Sequence, residues 1–113
     1  MKRNEIWLVN LDPTIGAEIQ KTRPAIIVND DALGLLPLRI TVPITDWKSN
    51  YAAAVWMVKI IPNSRNNLSK ISSADCFQVR SISTNRFIKK IGIIDTTEIK
   101  EIETALANVL KII

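Results

Sequence analysis

Residues 19–30, Ile-Gln-Lys-Thr-Arg-Pro-Ala-Ile-Ile-Val-Asn-Asp, hold the side chains best suited to anion chemistry. Arg23 stands between Thr22 and Pro24. A proline disfavours the helical region for the residue before it, so Arg23 is expected to be extended. Lys21 lies two residues upstream and, in an extended segment, on the same side. A guanidinium fixed where a loop enters a strand can grip a phosphate with its planar fork. The same Arg can instead snorkel at a strand end and pair with a surface carboxylate, and local sequence leaves both readings open. The preceding loop, residues 14–20, carries Glu18 and Gln20, which suits a binding rim and equally plain solvent exposure. Trp47 beside Lys48 has the makings of a base-stacking site, although such a Trp also folds back over a core edge.

These side chains need a scaffold. Residues 6–11 (Ile-Trp-Leu-Val-Asn-Leu) read as a strand closed by the turn signal Asp12-Pro13. Residues 25–28 form an apolar run rich in β-branched side chains, the pattern of a buried strand. Residues 38–44 alternate apolar and polar, the period of a half-buried strand, and Pro43 is expected to confine it to an edge or a strand end. Residues 45–50 read as a polar loop holding Thr45, Asp46 and Trp47. Further strands are expected over 54–60, over 72–81 with a break at Ala74-Asp75, and over 87–94. The last segment is a helix: Asp95 as N-cap, Glu98 three residues on, then Ile99, Ile102, Leu106, Val109, Leu110 and Ile113 along one stripe. Five to seven short strands and one amphipathic helix imply a mainly β fold, a small half-open barrel plugged by its C-terminal helix.

Composition narrows the chemistry. A chain of 113 residues suits one domain. No apolar run reaches the roughly 18 residues of a membrane span, and no secretory signal opens the sequence. The single Cys76 excludes an internal disulfide and fits a reducing cytoplasm. With no histidine, the usual general base and the commonest metal ligand are both missing. A net charge of +4 favours an anionic partner.

Taken together, Glu5-Ile6-Trp7, Leu11-Asp12-Pro13, Gly16-Ala17-Glu18-Ile19, Lys21-Thr22-Arg23-Pro24, Pro43-Ile44-Thr45, Gln78-Val79-Arg80, Arg86 with Lys89-Lys90-Ile91-Gly92, and the capped final helix occur in an order that resembles the MazF/PemK family. These are the toxins of type II toxin–antitoxin modules, and the resemblance runs from Glu5 to about Leu110. It implies an SH3-like small barrel of the MazF, PemK and CcdB type, one toxin domain over residues 1–113, and a cytoplasmic homodimer. It also implies a sequence-specific endoribonuclease that cuts single-stranded RNA, messenger RNA above all, with no metal or cofactor. A cognate antitoxin, whose acidic or apolar tail blocks the RNA groove, is the implied protein partner. The catalytic roles fall on Arg23 and Thr45, and Gln78 and Arg80 fall on the substrate-side strand end. Glu18, Lys21, Asp46 and Trp47 complete the expected substrate-binding set. Two positions depart from the family pattern: Phe77 stands where an acidic residue often precedes the Gln, and Ser83 where another acid is common.

Cleavage of RNA by its own hydroxyl needs a base for the 2′-OH, an acid for the departing 5′-oxygen, and support for phosphorane charge. Arg23 suits the last two tasks and, with a pKa above about 12, not the first. Thr45 can donate one hydrogen bond to a phosphate oxygen. Glu18 and Asp46 are the nearest carboxylates in sequence to these positions. Asp75, two residues from Phe77, would share its side of a strand. Two other readings compete: a CcdB-like toxin that poisons gyrase through protein contacts, and a degenerate homologue that binds antitoxin without cutting. The retained Arg23 and Thr45 favour the nuclease.

Overall fold

The computed structural model of the chain describes residues 1–112. Seven strands precede one helix: β1 Glu5–Asn10, β2 Thr22–Ile27, β3 Leu38–Asp46, β4 Met57–Ile60, β5 Ser72–Asp75, β6 Arg80–Ser83, β7 Phe87–Ile93 and α1 Thr96–Leu110. The ladder runs β4-β5-β3-β2-β1-β7, with β6 paired to the first half of β3. The sheet does not close, and β4 and β7 are its free ends.

Alternation along the strands sorts the side chains onto two faces. One face contributes Ile6, Ile26, Val42, Ile44, Val58, Ile60 and Ala74 to the main core, and α1 covers it with Ile99, Ile102 and Ala105. The opposite face holds a smaller cluster of Val9, Leu11, Ala25 and Ile82, flanked by Trp7, Ile19 and Phe87. α1 starts as its spacing predicts, with the Asp95 carboxylate accepting from Glu98 N at 2.8 Å. Its apolar stripe is shorter than expected: Leu110 is exposed, and Ile113 lies outside the described residues.

Five local expectations change. Lys21 has φ +69°, so it is not extended and the same-side rule from Arg23 does not reach it. Pro43 sits inside β3, not at its end. On one flank of β3 the ladder with β6 ends at Thr41 and the ladder with β5 begins at Ile44. Pro43 therefore falls where that flank has no strand partner, and its missing N–H breaks no rung there. β3 continues through Asp46, so Thr45 is a strand residue and not a loop residue. The strand expected from residue 54 begins only at Met57, because a 3-10 turn, Ser49–Ala53, occupies the chain before it. The break expected at Ala74-Asp75 falls at Cys76–Gln78 instead, where Asp75 caps a short 3-10 turn. Asp75 and Phe77 consequently do not share a strand face.

Candidate functional site

The face away from α1 carries the candidate chemistry, and the pairing register shows how. β2 and β3 pair from Ile27↔Thr41 to Ala25↔Pro43. Two residues beyond that last rung, on the same face, stand Arg23 on β2 and Thr45 on β3. Arg23 is paired to Val9 on β1, and Thr45 to Ser73 on β5, which is paired in turn to Lys59 on β4. One row of side chains thus crosses the sheet: Val9, Arg23, Thr45, Ser73, Lys59. The next row back runs Trp7, Ala25, Pro43, Asp75 and Met57, and Arg80 lies beyond it, paired to Thr41. Positions far apart in sequence are brought together because β3 is paired on both flanks.

Arg23 is half-buried, and among the described residues its one side-chain hydrogen bond is a long one, from Nε to the Gln20 carbonyl at 3.4 Å. Among the described residues no carboxylate lies within 4.0 Å of its guanidinium, which removes the surface ion pair from its explanation. Arg80 and Lys21 likewise form no ion pair among the described residues. Arg23 and Arg80, with no partner charge among the described residues, therefore stand on one face.

The carboxylates separate clearly. Asp46 follows Val42 and Ile44 in parity, so it belongs to the α1 side, and its Oδ2 pairs with Lys70 Nζ at 3.1 Å. Glu18 is exposed and accepts from Ile15 N at 2.6 Å, which folds its own loop. Asp75 is on the face of Thr45, 6% exposed, and accepts from Phe77 N at 3.1 Å. Burial pushes its carboxyl above the ordinary range against hydrogen bonds from Phe77 and Gln78. The neighbouring Cys76 thiol is pushed up to about 12 by burial and by the Asp75 charge, so it stays neutral and inert.

Gln78 is committed to the loop of residues 14–20. Its Oε1 accepts from Ile19 N at 2.6 Å and its Nε2 donates to the Ala17 carbonyl at 3.1 Å. Where that loop meets the Cys76–Gln78 turn, Ala17, Glu18, Phe77, Gln78, Val79 and Arg80 line a depression of about 360 Å³. Trp47 is elsewhere. It packs edge-on to Tyr51 with Lys59 Nζ 5.1 Å from its ring centroid, and it lines a separate groove against α1. Glu18, Gln78 and Arg80 are therefore brought together, whereas Asp46 is directed to the α1 side and Trp47 packs against Tyr51 and Lys59 of β4. Sequence reasoning passed over Ser73, which stands in the row of Arg23 and Thr45, fully buried with its Oγ donating to Met57 Sδ at 3.1 Å. Among the described residues no cluster of three or more Cys, Asp or Glu side chains could hold a metal ion, and no helix is long and apolar enough to cross a membrane.

Residues 2–110 match the family model described as the PemK-like, MazF-like toxin of type II toxin–antitoxin systems. The endoribonuclease MazF9 of Mycobacterium tuberculosis is 32% identical over 112 residues, covering 94% of this chain and 92% of that protein. The crystal structure of MazF from Deinococcus radiodurans superposes with a TM-score of 0.80 at 18% identity, over 98% of this chain and 96% of the other. A mycobacterial endoribonuclease solved with its cognate antitoxin gives 0.79 at 16% identity, over 100% and 97%. At such identities the two solved structures speak for the fold: a mainly β sheet with a C-terminal helix.

Proposed function

This chain belongs to the PemK-like, MazF-like toxin family of type II toxin–antitoxin systems, and we propose from that premise that it is a sequence-specific, metal-independent endoribonuclease acting on single-stranded RNA. The observation that carries the reading is the Arg23–Thr45 row: a guanidinium with no carboxylate within 4.0 Å among the described residues, in one row with a hydroxyl on the sheet face away from α1. Arg23 clamps the non-bridging oxygens of the scissile phosphate through two parallel N–H donors. Thr45 Oγ1 donates to the same phosphate as its charge grows. The ribose 2′-oxygen attacks phosphorus, the P–O5′ bond breaks, and the products are a 2′,3′-cyclic phosphate and a 5′-hydroxyl. The 2′-OH proton goes to a base and the 5′-oxygen gains one, with Arg23 as the donor. Asp75 stands two residues along β5 from Ser73, the partner of Thr45, and its raised proton affinity suits the accepting role. Glu18, Lys21, Gln78 and Arg80 form the rim of the RNA path. Asp46 and Trp47 take no part in this reading, because Lys70 and the α1 groove engage them.

The open sheet is a half-open SH3-like barrel in this reading, and residues 1–113 make one toxin domain that works in the cytoplasm as a homodimer. Leu33, Leu35, Leu36, Leu38 and Ile40 support the dimer: all are exposed around the start of β3, Leu35 to 99%. Apolar surface of that kind marks an interaction site. The toxin's other partner is a cognate antitoxin.

The test incubates pure protein with one long transcript in excess EDTA, maps the cut ends, and measures particle mass by light scattering. We expect cuts at one repeated word, cyclic phosphate at the 3′ ends, and twice the mass of a 12.7 kDa chain. Cleavage that dies in EDTA and returns with magnesium would overturn the mechanism. A transcript left whole would mean a toxin that binds without cutting.

A further inference from the structure

Phe77 is the most exposed aromatic ring of the chain, at 65%, and it lines the depression beside Arg80 and Glu18. A phenyl ring left in water forgoes the gain of burial, so its placement calls for a cause. The local structure holds it outward. Its N–H is fixed to the Asp75 carboxylate at 3.1 Å, and on either side of it Cys76 is wholly buried and Gln78 is fastened to the loop of residues 14–20. Cys76 N also donates to the Trp56 carbonyl at 2.9 Å, which brings Trp56 alongside. The two rings meet edge to face, centroids 6.1 Å apart at 70°, and Trp56 is itself 38% exposed. An edge-to-face contact uses only one ring face of the pair.

We propose that Phe77, buttressed by Trp56, is a stacking platform for one nucleobase of the RNA strand, in the depression it shares with Glu18 and Arg80. This rests on the RNA reading above. The surroundings fit a base better than an apolar side chain of a protein partner. Glu18 and Arg80 flank the ring with an acceptor and donors for a base edge or a phosphate, and no ion pair occupies Arg80 among the described residues. The depression, about 360 Å³, is within the range of small-ligand sites. Stacking tolerates any base, since every base has a π face, so the platform places the strand while hydrogen bonds read it. The residue that replaced an acid thus acquires a task of its own, and the stacking role the sequence suggested for Trp47 passes to another element.

The test uses a fluorescent single-stranded RNA of mixed sequence, 2′-O-methylated at every position. No attacking hydroxyl remains, so binding is read apart from cleavage. Wild type, Phe77→Leu and Phe77→Tyr are titrated with it, and a melting curve on each confirms the fold. We expect Leu to weaken binding roughly tenfold and Tyr to bind like wild type, as loss and retention of one stacked base require. Leu binding like wild type would overturn the platform, whatever the enzyme cuts. Leu that loses grip on an antitoxin peptide but not on the RNA would overturn it too and make this a protein-docking surface. Wild type that binds the methylated RNA and cuts no natural transcript would remove the nuclease reading while the Leu and Tyr affinities still decide the platform.

Discussion

The two faces of the sheet are built from the same strands and serve opposite ends. Toward α1, the aliphatic side chains of Ile26, Val42, Ile44 and Ile60 interlock with Ile99, Ile102 and Ala105. On the other face the small cluster around Val9, Leu11, Ala25 and Ile82 gives way to Arg23, Thr45, Ser73, Asp75 and Arg80. β3 shows the division residue by residue: Val42 and Ile44 are core, while Thr41, Pro43 and Thr45 face the candidate site. Because a pleated strand alternates, stability and chemistry can be assigned to neighbouring residues with little interference. One helix covers one face, and the face away from it holds Arg23 and Arg80, half-buried and without an ion pair among the described residues.

That division is open to attack from either side. Ile102→Ala should cost about 2–5 kcal/mol of stability, the usual penalty for an aliphatic core deletion. Its folded fraction should still cleave RNA at the wild-type rate. Denaturant midpoints and rates corrected for folded fraction decide it, and a slower folded fraction would mean that the faces are coupled. Arg23→Ala should do the reverse, lowering the single-turnover rate by about 10²–10³, the typical loss for one preorganised donor. Its melting temperature should hardly move. Arg23→Lys keeps the charge and loses the fork, so it should recover only a small part of the rate. A Lys variant that cleaves like wild type would defeat the bidentate clamp.

Glu5 sharpens the comparison because it is a stabilising charge near the chemical face. Its carboxylate accepts from Lys2 N at 3.0 Å and Trp7 Nε1 at 2.9 Å and pairs with Lys90 at 3.2 Å. Burial pushes its pKa up, but these bonds and the N-terminal charge outweigh it and hold the group at about 2. A depressed carboxyl adds stability above its unfolded value, near 4.5, and loses it as pH falls through about 2. Glu5→Gln should therefore be less stable at neutral pH by on the order of 2 kcal/mol, a figure reduced for residual solvent contact. The gap should close as pH approaches 2. Urea midpoints for both proteins at neutral and acid pH read this directly, and a gap that persists in acid would place the cost in packing.

Much of this molecule is written locally. The helix could be read off because capping and a 3.6-residue stripe involve neighbours in sequence, as Asp95, Glu98, Ile99 and Ile102 show. The buried strand around residues 25–28 and the extended Arg23 followed from β-branching and from Pro24, again nearest-neighbour effects. What tertiary structure alone decided is where those elements meet. Pro43 could sit mid-strand only because β6 ends and β5 begins on either side of it. Asp46 was lost to the α1 side, and Thr45 kept for the other face, because β3 runs on as a strand through both. Phe77 was set out in solvent beside Arg80 by a turn capped from Asp75 and a loop pinned by Gln78. A local pattern fixes which residues share a face; only pairing between distant segments fixes what stands beside them.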